Sequence, residues 1–229
     1  MLLWICNGHI KVFVFLNLAG PHFRPNPSFF VDTSIPSLKS ENIHKKMADV
    51  ELLKSKLGRH PDFPKKGIDF LDFLPILRDP QTFETLIGHF CHHITTTILP
   101  KLKEQGKKLD VIVGLDARGF LLGPIIALRL GCAFVPVRKA GKLPGPVEKV
   151  EYTKEYGTDT AEIQSDAIKP NQTVIVIDDL IATGGTAKAA GDLVSKLNAT
   201  VLEYLFVIEI DFLEGRKTLN APTYSIIHH

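Results

Sequence analysis

From about Val50 onward, two hydrophobic rhythms alternate along the chain. Continuous apolar, largely β-branched runs bounded by turn residues predict buried strands. They are Asp110–Leu115 (D-V-I-V-G-L), Ala133–Val137, Val174–Ile177, the long V-L-E-Y-L-F-V-I-E-I after Thr200, and Tyr224–Ile227. Between them, apolar positions recur every three or four residues and predict helices. Val50, Leu53 and Leu57 lead to a stop at Gly58, and Phe83, Leu86, Ile87, Phe90 and Ile94 mark a helix from Thr82 to about Ile98. Leu121, Leu122, Ile125, Ile126 and Leu130 mark another, closed by Gly131, and an Ala-, Leu- and Lys-rich segment follows Thr186. Alternating strand and helix predict an α/β fold, a right-handed parallel sheet with helices on both faces. His89, His92 and His93 on the first long helix read as surface and boundary residues rather than metal ligands.

The first 46 residues have a different character. Met1–Leu18 is apolar, but Asn7, His9, Lys11 and Asn17 interrupt it, so it is too short and too broken for a transmembrane helix. It lacks the basic n-region and small-residue cleavage site of a secretory signal. Pro21, Pro25, Pro27 and Pro36, with Ser and Asn between them, read as unstructured chain. The expected organisation is a disordered extension over 1–46 and a single domain over 47–229, long enough for one α/β core.

Composition narrows the function classes. At 45% hydrophobic and 23% charged, this is an ordinary globular sequence. A net charge of +2 with no basic stripe argues against a nucleic-acid-binding surface. Cys6, Cys91 and Cys132 have no metal-type spacing and are odd in number, which points to a reducing compartment without a disulfide framework.

The chemistry gathers at the predicted strand ends, where open parallel sheets bind ligands. Asp116/Arg118, Arg138/Lys139 and Asp178/Asp179 all stand at such ends. The richest stretch is Val174–Ala187, V-I-V-I-D-D-L-I-A-T-G-G-T-A. A strand, a small-residue turn and a helix start make an anion site, because unpaired N–H groups and the helix dipole converge there. Gly184 and Gly185 let backbone N–H groups approach a phosphate, and Thr183 and Thr186 add hydroxyls. A Val at either glycine is expected to spare the fold and block the phosphate. Asp178 and Asp179 suit sugar hydroxyls or a hydrated Mg²⁺ beside that phosphate. A phosphate next to a diol is a ribose 5-phosphate. Neither G-K-[ST] nor G-x-G-x-x-G is present, which excludes a Walker A loop and a Rossmann fingerprint. Arg138–Glu162 shows no core periodicity and holds Gly141, Pro144, Gly145 and Pro146, so it reads as a mobile lid. Its Arg138, Lys139 and Lys142 suit a polyanion.

Over Met47–His229 the chain resembles the type I phosphoribosyltransferases, and among them the adenine-using enzymes. The Val174–Ala187 loop marks the superfamily. F-P-K-K-G at Phe63–Gly67, G-L-D-A-R-G-F-L-L-G-P at Gly114–Pro124, V-R-K-A-G-K-L-P-G at Val137–Gly145, E-Y-G at Glu155–Gly157 and L-E-G-R at Leu213–Arg216 mark the adenine branch. The resemblance implies a type I phosphoribosyltransferase fold, with a parallel central sheet, helices on both faces, a small hood and a flexible lid loop. It implies adenine and phosphoribosyl pyrophosphate (PRPP) as substrates, AMP and pyrophosphate as products, and a purine-salvage role. It further implies Mg²⁺ carried by PRPP, a homodimer, and a cytoplasmic location with the nucleus as a second. No nucleic acid or membrane partner follows from it.

By motif, Ala182, Thr183, Gly184, Gly185 and Thr186 would cradle the 5′-phosphate, and Asp178 and Asp179 would hold the ribose. Arg118, Arg138, Lys139 and Lys142 would meet the pyrophosphate, some of them across the dimer. Glu155 would manage the purine proton, with Arg118 as its catalytic companion. Phe70 and Ile210 would sandwich the base, whose edge backbone around Asp69 and Leu71 would read. Two departures are Leu71, where the family often has Arg, and Ala117, where it often has Ser. Competing readings are a phosphoribosyltransferase for hypoxanthine/guanine, xanthine or orotate, and a non-catalytic PRPP-binding regulator on the same fold.

Overall fold

The computed structural model describes residues 2–6, 9–13, 48–63, 66–67, 69–154 and 157–229. The chain divides into two units, 1–38 and 39–229. The first holds an antiparallel ribbon of β1 (Leu2–Cys6) and β2 (His9–Phe13), with Leu2 opposite Phe13. The other residues of the extension expected over 1–46 lie outside the described residues. Apolar runs on either side of an Asn-Gly dipeptide in the sequence are a strong local hairpin signal.

The second unit is built on a seven-stranded sheet. Its strands, in chain order, are β5 (Val111–Leu115), β6 (Ala133–Lys139), β7 (Val147–Lys154), β8 (Gly157–Gln164), β9 (Thr173–Ile181), β10 (Thr200–Glu209) and β11 (Thr223–His228). The spatial order is β11-β10-β9-β5-β6-β8-β7. From β11 to β6 all neighbours are parallel, whereas β8 joins β6, and β7 joins β8, in antiparallel fashion. In β9, Val174 and Val176 face one core, and Ile175 and Ile177 face the other. That strict alternation with both faces buried is why the run reads as unbroken hydrophobicity. Each such side chain contributes roughly 1.5–3 kcal/mol on burial.

Helices cover the two faces. On one lie the helix over 48–55 (α1), α2 (Pro80–His93), α3 (Leu99–Glu104) and α4 (Gly119–Leu130); on the other lies α5 (Gly185–Lys196). Asp79 caps α2, accepting from the Gln81 N–H at 3.1 Å and the Thr82 hydroxyl at 2.7 Å, with Pro80 at the first turn. The helix predicted to run on to Ile98 changes at Ile94 into a π-helical turn, Ile94–Ile98. There the Thr95 and Thr96 hydroxyls donate to the His92 carbonyl, competing with the regular ladder. A small antiparallel ribbon, β3 (Gly58–Pro61) with β4 (Asp69–Asp72), forms the hood.

Two sequence expectations need correction. His89 and His93 are buried, and only His92 of the three is exposed. His89 Nε2 meets the Tyr224 hydroxyl at 2.6 Å, and His93 Nε2 meets Glu203 at 2.7 Å while its ring stacks on Tyr224. Arg138–Glu162, read as a lid, is mostly strand. Ala161 and Ile163 of β8 are buried, with Val150 and Tyr152 of β7 packed against the same core. Lys149 and Glu151 on β7 and Glu162 on β8 stand between these apolar positions and hide that period in a short edge ribbon.

Candidate active site

The chain runs from β5 through α4 to β6 on one side, and from β9 through α5 to β10 on the other. Adjacent strands β5 and β9 therefore feed helices in opposite directions, and a crevice opens at their carboxyl ends. Every charged cluster singled out in the sequence borders that crevice.

On the β9 side, Asp178 and Asp179 follow the unbroken buried run Thr173–Ile177. The Asp179 N–H donates to Asp178 Oδ1 at 2.9 Å. Asp179 is 1% exposed, and its Oδ2 lies 3.0 Å from Arg118 Nη1. That ion pair is not a hydrogen bond, and among the described residues Oδ2 has no donor. A buried acceptor without a donor is costly unless a ligand supplies one. Burial, then the charge of Asp179, raises the Asp178 pKa well above the usual carboxylate value. Burial also raises Asp179, opposed by Arg118.

Raised carboxylate pKa values mean that ionisation opposes folding. Below the unfolded value, near 4, both acids are protonated in either state and no penalty exists. The penalty grows as pH climbs through the raised folded values. Asp178→Asn, which keeps the oxygen facing the Asp179 N–H, is therefore expected to raise the ligand-free melting temperature at about pH 7.5. A gain of ~2–4 °C corresponds to about 1 kcal/mol in a domain of this size. Melting curves at about pH 4.5 should show the gain gone. An Asn variant less stable at the higher pH would refute the assignment.

After β9, residues 182–184 turn into α5. Gly184 sits at φ +83°, and the Lys188 N–H donates to its carbonyl at 2.8 Å. A Cβ on Gly184 would run into the Gly215 carbonyl and the Thr218 hydroxyl. A Cβ on Gly215 would in turn strike the Ala182 carbonyl. The two glycines are thus a backbone-to-backbone brace, which corrects the expectation that Gly184 tolerates Val. Gly185 is the first residue of α5, and Thr183 is exposed.

On the β5 and β6 side, Asp116 and Arg118 follow β5, and the Asp116–Ala117 peptide is cis. Arg118 lies over the Phe70 ring at 5.8 Å, and Phe63 meets Phe70 edge-on at 5.3 Å. One guanidinium thus links the hood to the acid pair. Arg138, near the end of β6, donates from Nε to Asp116 at 3.1 Å and from Nη1 to the Lys142 carbonyl at 3.3 Å. Lys139 Nζ stands 3.9 Å from Asp159. Ile210 follows β10, its N–H donating to the Ile181 carbonyl at 3.0 Å. Leu71 is buried in the core, and the Asp69 carboxylate pairs with Arg59. Glu155 lies outside the described residues.

Sequence reasoning missed Glu162 and the brace at Gly215. An acid between buried Ala161 and Ile163 was the available signal for Glu162. Among the described residues, Glu209, Asp211 and His228 place potential metal-ligand atoms within 4.8 Å of one another. Arg216 and Ser225 already occupy the Glu209 carboxylate.

A buried acid pair beside a strand–turn–helix, with cations across the crevice, is the set of groups that phosphoribosyl transfer calls for. Residues 89–227 match the family model for the phosphoribosyl transferase domain. The adenine phosphoribosyltransferase of Yarrowia lipolytica is 58% identical over 175 residues, covering 76% of this chain and 93% of that protein. The Homo sapiens protein of that name is 42% identical over 183 residues, covering 80% and 98%. The crystal structure of Saccharomyces cerevisiae adenine phosphoribosyltransferase, complexed with an imino-altritol bisphosphate and adenine, superposes with a TM-score of 0.73 at 52% identity. It covers 79% of this chain and 99% of that one. The chain belongs to the adenine phosphoribosyltransferase family.

Proposed function

We propose that the chain transfers the 5-phosphoribosyl group of PRPP to adenine, giving AMP and pyrophosphate. The observation that carries this reading is Arg118, which touches Phe70 of the hood and Asp179 of the acid pair. It joins a base-stacking surface to a sugar-binding one. Ala182–Thr186 would seat the 5′-phosphate on the start of α5. Asp178 and Asp179 would accept from the ribose hydroxyls, giving Asp179 Oδ2 its missing donor. As the bond from C1′ to the pyrophosphate oxygen breaks and the adenine nitrogen bonds to C1′, negative charge grows on the leaving group. Arg118, Arg138, Lys139 and Lys142 would offset it without proton transfer. Glu155 would take the proton that adenine loses.

The donor set also fits Mg²⁺ carried by PRPP, since paired carboxylates with an unfilled oxygen suit a hydrated hard cation. Asp178 and Asp179 would hold it through water. When bound, it would supply charge neutralisation at the pyrophosphate. Leu71 bears on selectivity less than its difference from the family suggests, because its side chain is buried and the proposed contacts there are backbone. For the homodimer, α4 offers Leu121, Pro124 and Leu128 along one face, with Leu128 83% exposed. Sedimentation would read the mass in solution.

The test is to incubate the protein with PRPP, Mg²⁺ and each nucleobase separately and identify the nucleotide formed. AMP from adenine alone supports the reading. IMP, GMP, XMP or OMP would assign another base, and no nucleotide would favour the regulator. A chain beginning at Met47 should match full length in turnover and melting temperature. A large loss of either would give residues 1–46 a structural role.

A further inference from the structure

Glu162 is 1% exposed and has no part in the mechanism above. β8 grips the 140–146 turn at alternate positions. The Thr160 carbonyl accepts from the Ala140 N–H at 2.9 Å, and Gln164 Nε2 donates to the Pro144 carbonyl at 3.1 Å. Between them, Glu162 Oε1 accepts from the N–H groups of both Lys142 and Leu143 at 2.9 Å. Gly141 and Gly145 take φ of +79° and +78°, left-handed conformations open to glycine. The turn is therefore shaped by its glycines and stapled to a strand.

The peptide units around Lys142 are held on both sides. The Lys142 N–H donates to Glu162, while the Lys142 carbonyl accepts from Arg138, which Asp116 anchors at 3.1 Å. In the sheet, Glu162 stands opposite Arg138 on β6 and Lys149 on β7, with Lys149 Nζ 3.9 Å from its Oε2. We propose that Glu162 is a positioning residue for pyrophosphate. Its carboxylate fixes the Lys142–Leu143 turn so that Arg138 and Lys142 present their charges together to the leaving group. Charge-assisted hydrogen bonds to a buried carboxylate are the stronger kind, and they hold backbone more rigidly than a neutral acceptor would. Burial pushes the Glu162 pKa up, but the backbone N–H groups of residues 141–143 and Lys149 outweigh it. The net shift is downward, and the group stays ionised at neutral pH. The role rests on the phosphoribosyl-transfer reading given above.

Calorimetric titration with pyrophosphate, beside KM values for PRPP and adenine, tests it on wild type, Glu162→Gln, Glu162→Ala and Gln164→Ala. Glu162→Gln keeps shape and acceptor but loses charge. It should weaken pyrophosphate and raise the PRPP KM by ~10-fold, the lower end for hydrogen bonds to charged groups. Its adenine KM should stay near wild type and its melting temperature should fall by only a few degrees, since the lowered pKa means the lost charge stabilised the fold, with faster amide exchange at Lys142 and Leu143. Glu162→Ala should weaken pyrophosphate further, by ~100-fold. Gln164→Ala, which cuts the neighbouring staple, should change it less than about threefold. Wild type that forms AMP, with Glu162→Gln binding pyrophosphate unchanged, overturns the positioning role alone. Adenine and pyrophosphate affinity falling in step also overturns it, because that marks a general loss of structure. Wild type that forms no nucleotide overturns both readings.

Discussion

Glu155→Gln is expected to lower kcat by about 10²–10⁴-fold, the usual contribution of one general acid–base group. Glu155 stands in sequence between β7, which ends at Lys154, and β8, which begins at Gly157. The ribbon's hold on the sheet comes from elsewhere, through buried Ala161 and Ile163 and the pairing of Arg138 with Glu162. Loss of one carboxylate between the strands should therefore leave stability within about 0.5 kcal/mol, as at most surface positions. PRPP affinity, assigned in the proposed function to residues 182–186, should also hold. The effect is then confined to turnover, where adenine must lose a proton as its nitrogen bonds to C1′. kcat with adenine and PRPP affinity, measured on one preparation, decide it. A fall in kcat below threefold would remove Glu155 from the chemistry.

The second large effect separates two adjacent glycines. Gly184→Val should cost several kcal/mol, because a side chain at φ +83° is strained and its Cβ would run into Gly215 and Thr218. Left-handed strain alone is about 1–2 kcal/mol, and the backbone clash adds to it. A fall in melting temperature of ~10 °C or more is expected. Gly185→Val, at the first residue of α5, meets no left-handed requirement and should melt within a few degrees of wild type. Its branched methyls would lie where the phosphate must reach the helix N–H groups, so PRPP affinity should fall by ~100-fold or more. A Gly184 variant as stable as wild type would dismiss the brace. A Gly185 variant binding PRPP normally would dismiss the phosphate site.

The centre of the fold could be read from the sequence because both faces of the sheet are buried. Val111–Leu115 and Val174–Ile177 carry no polar interruption, and their ends place Asp116 and Asp178 beyond doubt about side or order. The edge was harder. β7 exposes Lys149 and Glu151 at alternate positions, and β8 sets a buried Glu162 between Ala161 and Ile163, so their apolar period is short and diluted. Contacts distant in sequence were unreadable: His93 meets Glu203 across 110 residues, and His89 meets Tyr224 across 135. Isolated in sequence, these histidines looked like surface residues, and only packed against β10 and β11 do they find partners. Gly184 shows the same limit, since its neighbour Gly215 enters from another loop.

The parallel pairing of β5 with β9 also constrains how the molecule is made. Asp110 and Thr173, bonded at the foot of these strands, are 63 residues apart, and the sheet between them grows by crossover. Neither half of the crevice has its other wall until β9 docks, and β10 must then cover β9. Pairings this remote are slow to form, because loop closure precedes any compensating contact. A nascent chain that has emerged only as far as β8 carries Asp116, Arg118 and Arg138 but no phosphate cradle. Catalytic competence therefore arrives late in synthesis and all at once, so during refolding the recovery of AMP formation would time the docking of the central strands.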